Sequence, residues 1–141
     1  MRLIMNQPSP EPRGVDPLLA LVADDDGATR RLLTMVLERQ GYRVLVAVDG
    51  VGALQHFRES GPGVVFLDAR MPAPDGYEVC RTIRSETATD TGPYVTMLTA
   101  SGRDDDRQRA TEAGVDEFLT KPFSPSRLSA RLRALAQQSA G

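Results

Sequence analysis

Short apolar runs alternate along the chain with longer segments in which apolar residues recur every three or four positions. The apolar runs, each of strand length, are residues 18–23, 42–48, 64–67, 94–98 and 115–119. The segments with helical period are residues 32–37, 51–57, 77–83, 107–113 and 128–135. Strands that alternate with helices favour a parallel sheet with right-handed crossovers. We therefore predict a three-layer α/β domain of five strand–helix repeats over residues 18–138.

Glycine and proline mark the ends of several of these segments. Gly41, the Gly-Pro-Gly stretch at residues 61–63 and Gly114 each follow a helical segment, where such residues end helices. Residues 1–17 hold four prolines among polar residues and almost nothing apolar to bury, which predicts a disordered N-terminal segment. Residues 139–141 are predicted to be a short tail.

The composition narrows the class of protein. The chain has 141 residues, of which 40% are hydrophobic and 26% charged, as in a single globular domain. A single cysteine excludes an internal disulfide, and no Cys/His cluster is present to hold zinc. A net charge of −2 gives no basic field for direct nucleic-acid binding. Neither a membrane span nor a secretory signal is visible, so we expect a cytoplasmic protein.

Polar side chains follow four of the five predicted strands. Asp24–Asp26 follow the first strand, Asp68 the third, Thr99 the fourth and Lys121 the fifth. Residues 49–50 (Asp-Gly), after the second strand, are interpreted as a plain turn. Because ligands of open α/β sheets bind beyond the carboxyl ends of the strands, we expect these side chains to share one edge of the sheet.

The chemistry of this set is that of phosphoryl transfer. Neighbouring carboxylates repel each other unless a cation joins them, and Mg²⁺ prefers such oxygen ligands. A carboxylate can also act as a nucleophile and form an acyl phosphate. A lysine ammonium and a threonine hydroxyl suit the phosphoryl oxygens. Acids that face a lysine and a threonine therefore predict a phosphoryl-transfer site.

Five segments resemble, in order and spacing, the CheY-like receiver domain of two-component response regulators. They are residues 21–26 (LVADDD), 66–72 (FLDARMP), 75–76 (DG), 97–100 (MLTA) and 119–123 (LTKPF). The resemblance covers residues 18–136. It implies a flavodoxin-like, doubly wound (βα)5 fold with strand order 2-1-3-4-5, in which strands one and three are neighbours.

The resemblance also implies a role for each residue of the site. Asp68 would accept a phosphoryl group from the phosphohistidine of a histidine kinase or a phosphotransfer protein. Asp25, Asp68 and the main-chain carbonyl of Arg70 would bind Mg²⁺, with Asp24 assisting directly or through water. Lys121 would pair with a phosphoryl oxygen.

Two further residues are implied in signalling. Thr99 would turn its hydroxyl toward the phosphoryl group, and Phe118 would rotate inward to fill the space. This movement would reshape the surface of helix four, strand five and helix five for a downstream protein partner, an output domain or a homodimer. An aromatic residue in a strand is also a common core residue, so both interpretations of Phe118 stay open. The bond between Lys121 and Pro122 is expected to permit the cis form, as X–Pro bonds do.

Two other functions compete with the phosphorylation switch. An aspartate-nucleophile phosphatase would usually place a second acid two residues after its nucleophile, where this chain has Arg70. A pseudo-receiver would bind partners without taking phosphate, but Asp68, Thr99 and Lys121 are all present. Apart from self-phosphorylation and autodephosphorylation, we expect no enzymatic activity.

Several other residues receive a structural interpretation. Asp26 is predicted to cap the first helix and residues 104–106 (Asp-Asp-Asp) to cap the fourth. Residues 75–76 (Asp-Gly) are expected to form a turn and helix start, His56 to lie on the surface and Cys80 to pack as a small hydrophobe.

The sequence of helix five and of two loop positions indicates function less specifically. The helix contains Arg127, Arg131 and Arg133, and no acidic residue follows Glu117. This pattern indicates either a solvated face or a docking surface for an acidic partner. Arg70 and Ser101 occupy positions that vary in the family and tune dephosphorylation, so they bear on the lifetime of the phosphorylated state.

Overall fold

The computed structural model describes residues 14–88 and 91–140, and the side chains as far as residue 135. The strands are β1 (Asp16–Ala23), β2 (Arg43–Ala47), β3 (Pro62–Asp68), β4 (Tyr94–Thr99) and β5 (Glu117–Thr120). The helices are α1 (Gly27–Arg39), α2 (Gly50–Ser60), α3 (Gly76–Glu86), α4 (Asp104–Ala113) and α5 (Pro125–Ala140). Within the described residues, no helix combines the length and hydropathy that a membrane crossing requires.

The five strands form one parallel sheet in the order β2-β1-β3-β4-β5. This confirms the predicted strand order and the (βα)5 architecture. β1 lies between β2 and β3, and its last residue, Ala23, is in register with Ala47 on one side and Leu67 on the other. The residues that follow β1 and β3 therefore emerge side by side.

Both faces of the sheet are covered by helices, which makes the fold doubly wound. Along β1, Ala20 and Val22 belong to the core under α1 and α5, whereas Leu21 and Ala23 belong to the core under α2, α3 and α4. Successive side chains of a strand point to opposite faces, so the buried part of β1, Leu19–Ala23, is apolar at every residue. This burial explains the continuous apolar runs from which the strands were predicted.

β1 begins two residues before the predicted start of the domain. The amide of Asp16 donates to the carbonyl of Gly61 at 2.8 Å, and the Asp16 carboxylate pairs with Arg43 of β2. β3 likewise begins at Pro62, within the stretch that was predicted to end the preceding helix, because Pro62 is in register with Asp16. Gly63 packs directly against the backbone of Asp16. The boundary predicted at residue 17 is thus wrong, and residues 1–13 of the predicted disordered segment lie outside the described residues.

The C-terminal boundary also differs from the prediction. α5 continues to Ala140, so the predicted tail at residues 139–141 is helical as far as residue 140. Residue 141 lies outside the described part of the chain.

Aspartates cap three of the helices. Asp26 caps α1, as predicted, and Asp75 caps α3 in a capping box with Glu78. Asp49 was interpreted as part of a plain turn, but its side chain accepts a hydrogen bond from the amide of Gly52 at 2.8 Å and caps α2. The turn after β2 is therefore the start of a helix.

Helix α4 begins differently from the prediction. Asp104–Asp106 form its first turn instead of preceding it, and Arg103 occupies the N-cap position without a side-chain hydrogen bond. The acidic residues still face the positive end of the helix dipole. The buried side chains of α4 are two alanines, Ala110 and Ala113.

The other end of α4 is tied to the rest of the domain by one arginine. Arg84 of α3 donates from Nε to the carbonyl of Gly114 and from Nη1 to the carbonyl of Pro93, both at 2.8 Å. Its Nη2 lies 2.7 Å from Asp116. A single side chain thus joins α3 to the start of β4 and to the turn between α4 and β5.

Cys80 is fully buried among the apolar residues of α3, as predicted. Burial raises the pKa of its thiol to about 11. His56 lies on α2 and is partly buried, so it is less exposed than predicted.

Candidate functional site

The sheet register brings the predicted site residues to one edge. The pairing of Ala23 with Leu67 places Asp24 next to Asp68. β5 runs beside β4, and the amide of Lys121 donates to the carbonyl of Thr99 at 2.6 Å. Four residues that are far apart in sequence therefore lie together beyond the carboxyl ends of the strands: Asp24, Asp68, Thr99 and Lys121.

Three carboxylates converge at this edge. One oxygen from each of Asp24, Asp25 and Asp68 lies within 4.8 Å of the other two. Asp24 is 0% exposed and Asp68 is buried, whereas Asp25 is exposed to solvent. All the possible metal ligands are carboxylate oxygens, which are hard ligands. The negative charge of the three carboxylates exceeds the single positive charge of the neighbouring Lys121. This donor set fits Mg²⁺.

Lys121 lies between two of these acids. Its Nζ is 2.8 Å from Oδ2 of Asp24 and 3.5 Å from Oδ1 of Asp68. Burial opposes the positive charge of Lys121, but the hydrogen bond to Asp24 and the charges of both carboxylates outweigh that effect and raise its pKa. Lys121 is therefore a fixed positive charge beside Asp68.

The carboxyl group of Asp68 has a raised pKa and is therefore a weaker acid than an ordinary aspartate. Burial, and then the negative charge of Asp24, raise its pKa to about 6, against the opposing effects of the Arg70 amide and of Lys121. The Arg70 amide donates to Oδ1 of Asp68 at 3.2 Å. Near neutral pH the group is thus largely ionised in an environment that favours an added cation.

Asp24 is held by backbone and arginine contacts. Its Oδ1 accepts from the amide of Asp26 at 2.9 Å, and its main-chain carbonyl accepts from Nη1 of Arg30 at 2.8 Å. The contact with Arg30 was missed by sequence reasoning, since nothing in the pattern showed which way this side chain of α1 extends.

Thr99 is buried at the end of β4, and its Oγ1 accepts from the amide of Ser101 at 3.1 Å. It borders a cavity of about 250 Å³ between the loop after β3 and helix α4. The other residues around this cavity are Ala69, Arg70, Met71, Asp75, Tyr77, Asp106 and Arg109. The structure thus provides open volume next to the residue predicted to move.

The N-terminus of α3 packs tightly against the strand that carries Asp68. A Cβ atom on Gly76 would lie 2.3 Å from the carbonyl oxygen of Asp68 and 3.0 Å from the Cα of Ala69. Only glycine allows this close approach. The interpretation of residues 75–76 as structural is confirmed, and their position places α3 in direct contact with the backbone of Asp68.

Phe118 lies partly buried on β5, against the core formed with α2, α3 and α4. The guanidinium carbon of Arg107 lies 5.0 Å from the centre of its ring. These contacts agree with a core role and with a switch role, so the prediction for Phe118 stays a prediction.

The three arginines of α5 named in the sequence, Arg127, Arg131 and Arg133, are all exposed to solvent. Arg131 pairs with Glu117 of β5 and remains largely exposed, so a solvated face and a docking surface both stay open. Arg127 and Arg131 border a groove of about 450 Å³ over β5, together with Arg107 and Phe118. The surface of α4, β5 and α5 therefore combines an aromatic side chain with positive charge.

The peptide bond between Lys121 and Pro122 is cis, as is that between Ala73 and Pro74. The first agrees with the expectation from the sequence.

Comparisons with known proteins agree with this geometry. The chain matches the family of response regulator receiver domains over residues 20–133. The probable transcriptional regulator ycf27 of Galdieria sulphuraria is 43% identical over 118 residues, which cover 84% of this chain and 45% of the relative. The transcriptional regulatory protein ResD of Bacillus subtilis is 42% identical over 118 residues, covering 84% and 48%. This chain spans about half the length of the curated relatives it matches.

Among solved structures, the BeF3-activated receiver domain of DrrB, which is a Thermotoga maritima OmpR/PhoB homologue, superimposes with a TM-score of 0.76. The two sequences are 32% identical, and the match covers 86% of this chain and 99% of the DrrB domain. The family match over residues 20–133, the strand order and the acidic edge of the sheet lead to one conclusion: the chain belongs to the response regulator receiver domains of two-component systems.

Proposed function

We propose that this chain is a Mg²⁺-dependent phosphorylation switch in which Asp68 takes a phosphoryl group from the phosphohistidine of a histidine kinase or a phosphotransfer protein. One observation carries the proposal: Lys121 contacts Asp24 at 2.8 Å and Asp68 at 3.5 Å, beside three carboxylates whose oxygens lie within 4.8 Å of one another. A positive charge and a cation-binding set thus flank one buried carboxylate.

The reaction exchanges one bond to phosphorus for another. A carboxylate oxygen of Asp68 forms an O–P bond while the P–N bond of the phosphohistidine breaks, and its electron pair returns to the imidazole ring. Lys121 then pairs with a phosphoryl oxygen, because its positive charge already lies beside Asp68. Catalysis rests on positioning and on neutralisation of charge.

Asp24, Asp25 and Asp68 would hold Mg²⁺, with the main-chain carbonyl of Arg70 as the further ligand implied by the family. The ion supplies positive charge that offsets the repulsion between the acceptor carboxylate and the incoming phosphoryl oxygens. The pKa of Asp68 is raised first by burial and then by the negative charge of Asp24, and a bound cation would offset both effects.

The structural effect of phosphorylation would be transmitted from the site by movements of the Thr99 and Phe118 side chains. Thr99 turns its hydroxyl toward the phosphoryl group, and Phe118 moves toward the volume that is released. The surface of α4, β5 and α5 then changes for a protein partner, an output domain or a second copy of the chain. ResD and ycf27, to which this chain is similar, are transcriptional regulators, which supports an output of this kind. We place this phosphotransfer in the cytoplasm.

Phosphorylation by acetyl phosphate tests the proposal. We expect the mass of the protein to increase by one HPO₃ group in the presence of Mg²⁺ and not in the presence of EDTA. Asp68→Asn should gain no mass, whereas Asp104→Asn, a change at an exposed acid of α4, should behave as the unchanged protein. A phosphoryl group on the Asp68→Asn variant would contradict the assignment of the acceptor.

Two results would indicate the competing functions. Continuous hydrolysis of added phosphomonoesters would indicate a phosphatase. No mass gain, together with no effect of Mg²⁺ on thermal stability, would indicate a pseudo-receiver.

A further inference from the structure

Helix α4 has little apolar contact with the rest of the domain. Its buried side chains are Ala110 and Ala113, and its N-cap residue, Arg103, makes no side-chain hydrogen bond. Two alanines bury much less surface than the larger apolar side chains of α1, α2 and α3, such as Leu33, Phe57 and Ile83. The polar and aromatic contacts of α4 therefore weigh heavily in setting its position.

Arg109 makes two such contacts with the beginning of α3. Its guanidinium carbon lies 4.2 Å from the centre of the Tyr77 ring, and its Nη2 lies 4.0 Å from Oδ2 of Asp75. Tyr77 is 3% exposed, so its ring is fixed by packing and presents a rigid face to the guanidinium. The arrangement is a cation–π contact assisted by a carboxylate.

The partners of Arg109 adjoin the phosphorylation site. Tyr77 follows Gly76, which packs directly against the carbonyl oxygen of Asp68. Tyr77 and Arg109 also border the cavity next to Thr99. Arg109 thus joins α4 to the part of α3 that touches the backbone of Asp68.

We propose that Arg109 is a positioning residue that holds α4 against α3 and so opposes a displacement of α4 on activation. The inference rests on the proposed function, because it assumes that phosphorylation displaces α4. A displacement of α4 away from α3 draws the guanidinium off the Tyr77 ring. A contact that is lost when α4 is displaced weakens the binding of any ligand that favours the displaced form.

Titration with beryllofluoride, a mimic of the phosphoryl group, in the presence of Mg²⁺ measures this effect. We expect Arg109→Ala to bind beryllofluoride roughly two- to fivefold more tightly, the range that follows from the strength of an exposed cation–π contact. Tyr77→Phe keeps the ring and should bind as the unchanged protein does. Gln108→Ala, a change at the neighbouring exposed residue of α4, is the matched control and should also have no effect.

Hydrogen exchange of the α4 amides in Mg²⁺ alone tests the contact independently of phosphorylation. Exchange should be faster in Arg109→Ala than in Gln108→Ala or Tyr77→Phe. Equal exchange in all three variants would overturn the proposal. Faster exchange with unchanged beryllofluoride affinity would show that the contact is only structural, which also overturns it.

The same pair of measurements separates this inference from the proposed function. If the unchanged protein fails to bind beryllofluoride, the phosphorylation switch itself is wrong, and the regulatory role of Arg109 falls with it. If the unchanged protein binds and Arg109→Ala binds with equal or lower affinity, only the role of Arg109 is wrong.

Discussion

The ammonium group of Lys121 lies 2.8 Å from Oδ2 of Asp24, a residue with 0% exposure that stands 97 positions earlier in the chain. Lys121 itself retains partial exposure, with 23% of its side chain accessible. The pair thus consists of a fully buried carboxylate and a cation at the opening of the site. Removing the cation leaves the carboxylate without compensation.

Lys121→Met should therefore destabilise the protein. We expect the free energy of unfolding to fall by about 3 kcal/mol at neutral pH, the usual loss when one partner of a buried ion pair is removed. Urea denaturation measures the change. The double variant Asp24→Asn/Lys121→Met is the control and should recover most of the loss, because it removes the buried charge together with its partner. An unchanged midpoint for Lys121→Met would contradict the burial of Asp24.

Asp68→Asn should stabilise the protein in the absence of Mg²⁺. The folded state raises the pKa of Asp68 from 3.8 to about 6, so the folded state binds the proton more strongly than the unfolded state does. Stability contributed by this group is therefore present at low pH and is lost as the pH rises through about 4 to 6. At neutral pH we expect Asp68→Asn to gain about 1–3 kcal/mol, with the gain vanishing below about pH 4.

Urea denaturation in EDTA at both pH values measures the effect of Asp68→Asn, and Mg²⁺ provides the control. Adding Mg²⁺ should stabilise the unchanged protein more than the variant, since the variant lacks one of the three carboxylates. A gain from Asp68→Asn that is equal at both pH values would show that ionisation of Asp68 is not its cause.

Gly76→Ala should disturb the proposed phosphorylation site through packing. The added Cβ would lie 2.3 Å from the carbonyl oxygen of Asp68, a backbone atom that cannot rotate away. We expect a loss of about 2 kcal/mol in urea denaturation, as for other overpacked positions, and slower phosphorylation by acetyl phosphate. Gly14→Ala, where nothing lies within 4 Å of the new atom, is the matched control. Equal stability of the two variants would contradict the close packing of α3 on β3.

Cys80 should not react with thiol reagents in the folded protein. Its side chain is fully buried, and burial raises the pKa of the thiol to about 11, which suppresses the reactive thiolate. Labelling with a disulfide reagent at mildly alkaline pH should proceed only as the protein unfolds, and it should be rapid in guanidinium chloride. Fast labelling under native conditions would show that α3 opens locally.

The order and type of the strands and helices could be predicted because each strand has a simple environment. Residues such as Leu21 and Val22 face helices on opposite sides of the sheet, so the buried runs of the strands are apolar and stand out from the helices. The starts of β1 and β3 were missed because Asp16 and Pro62 are held by pairing between the two strands, and this leaves no periodic pattern in the sequence.

The site could be predicted as far as its residues follow directly from strand ends. Asp24, Asp68 and Lys121 were expected at one edge, and the distances between them agree with that expectation. Contacts that depend on the direction of a helical side chain could not be predicted, such as those of Arg30 with Asp24 and of Arg109 with Tyr77. Spacing along a helix shows which residues share a face, but not which atoms of another element they reach.

The contacts of Arg84 affect how α4 can move. They fix the turn at Gly114 to α3 and β4, whereas the first turn of the helix, at Asp104, has no capping side chain. A rigid rod that is anchored at one end swings about that anchor, so a displacement of α4 grows with distance from Gly114. A small rearrangement near Thr99 would thus move the N-terminus of α4, at Asp104, more than its C-terminus, which Arg84 holds in place.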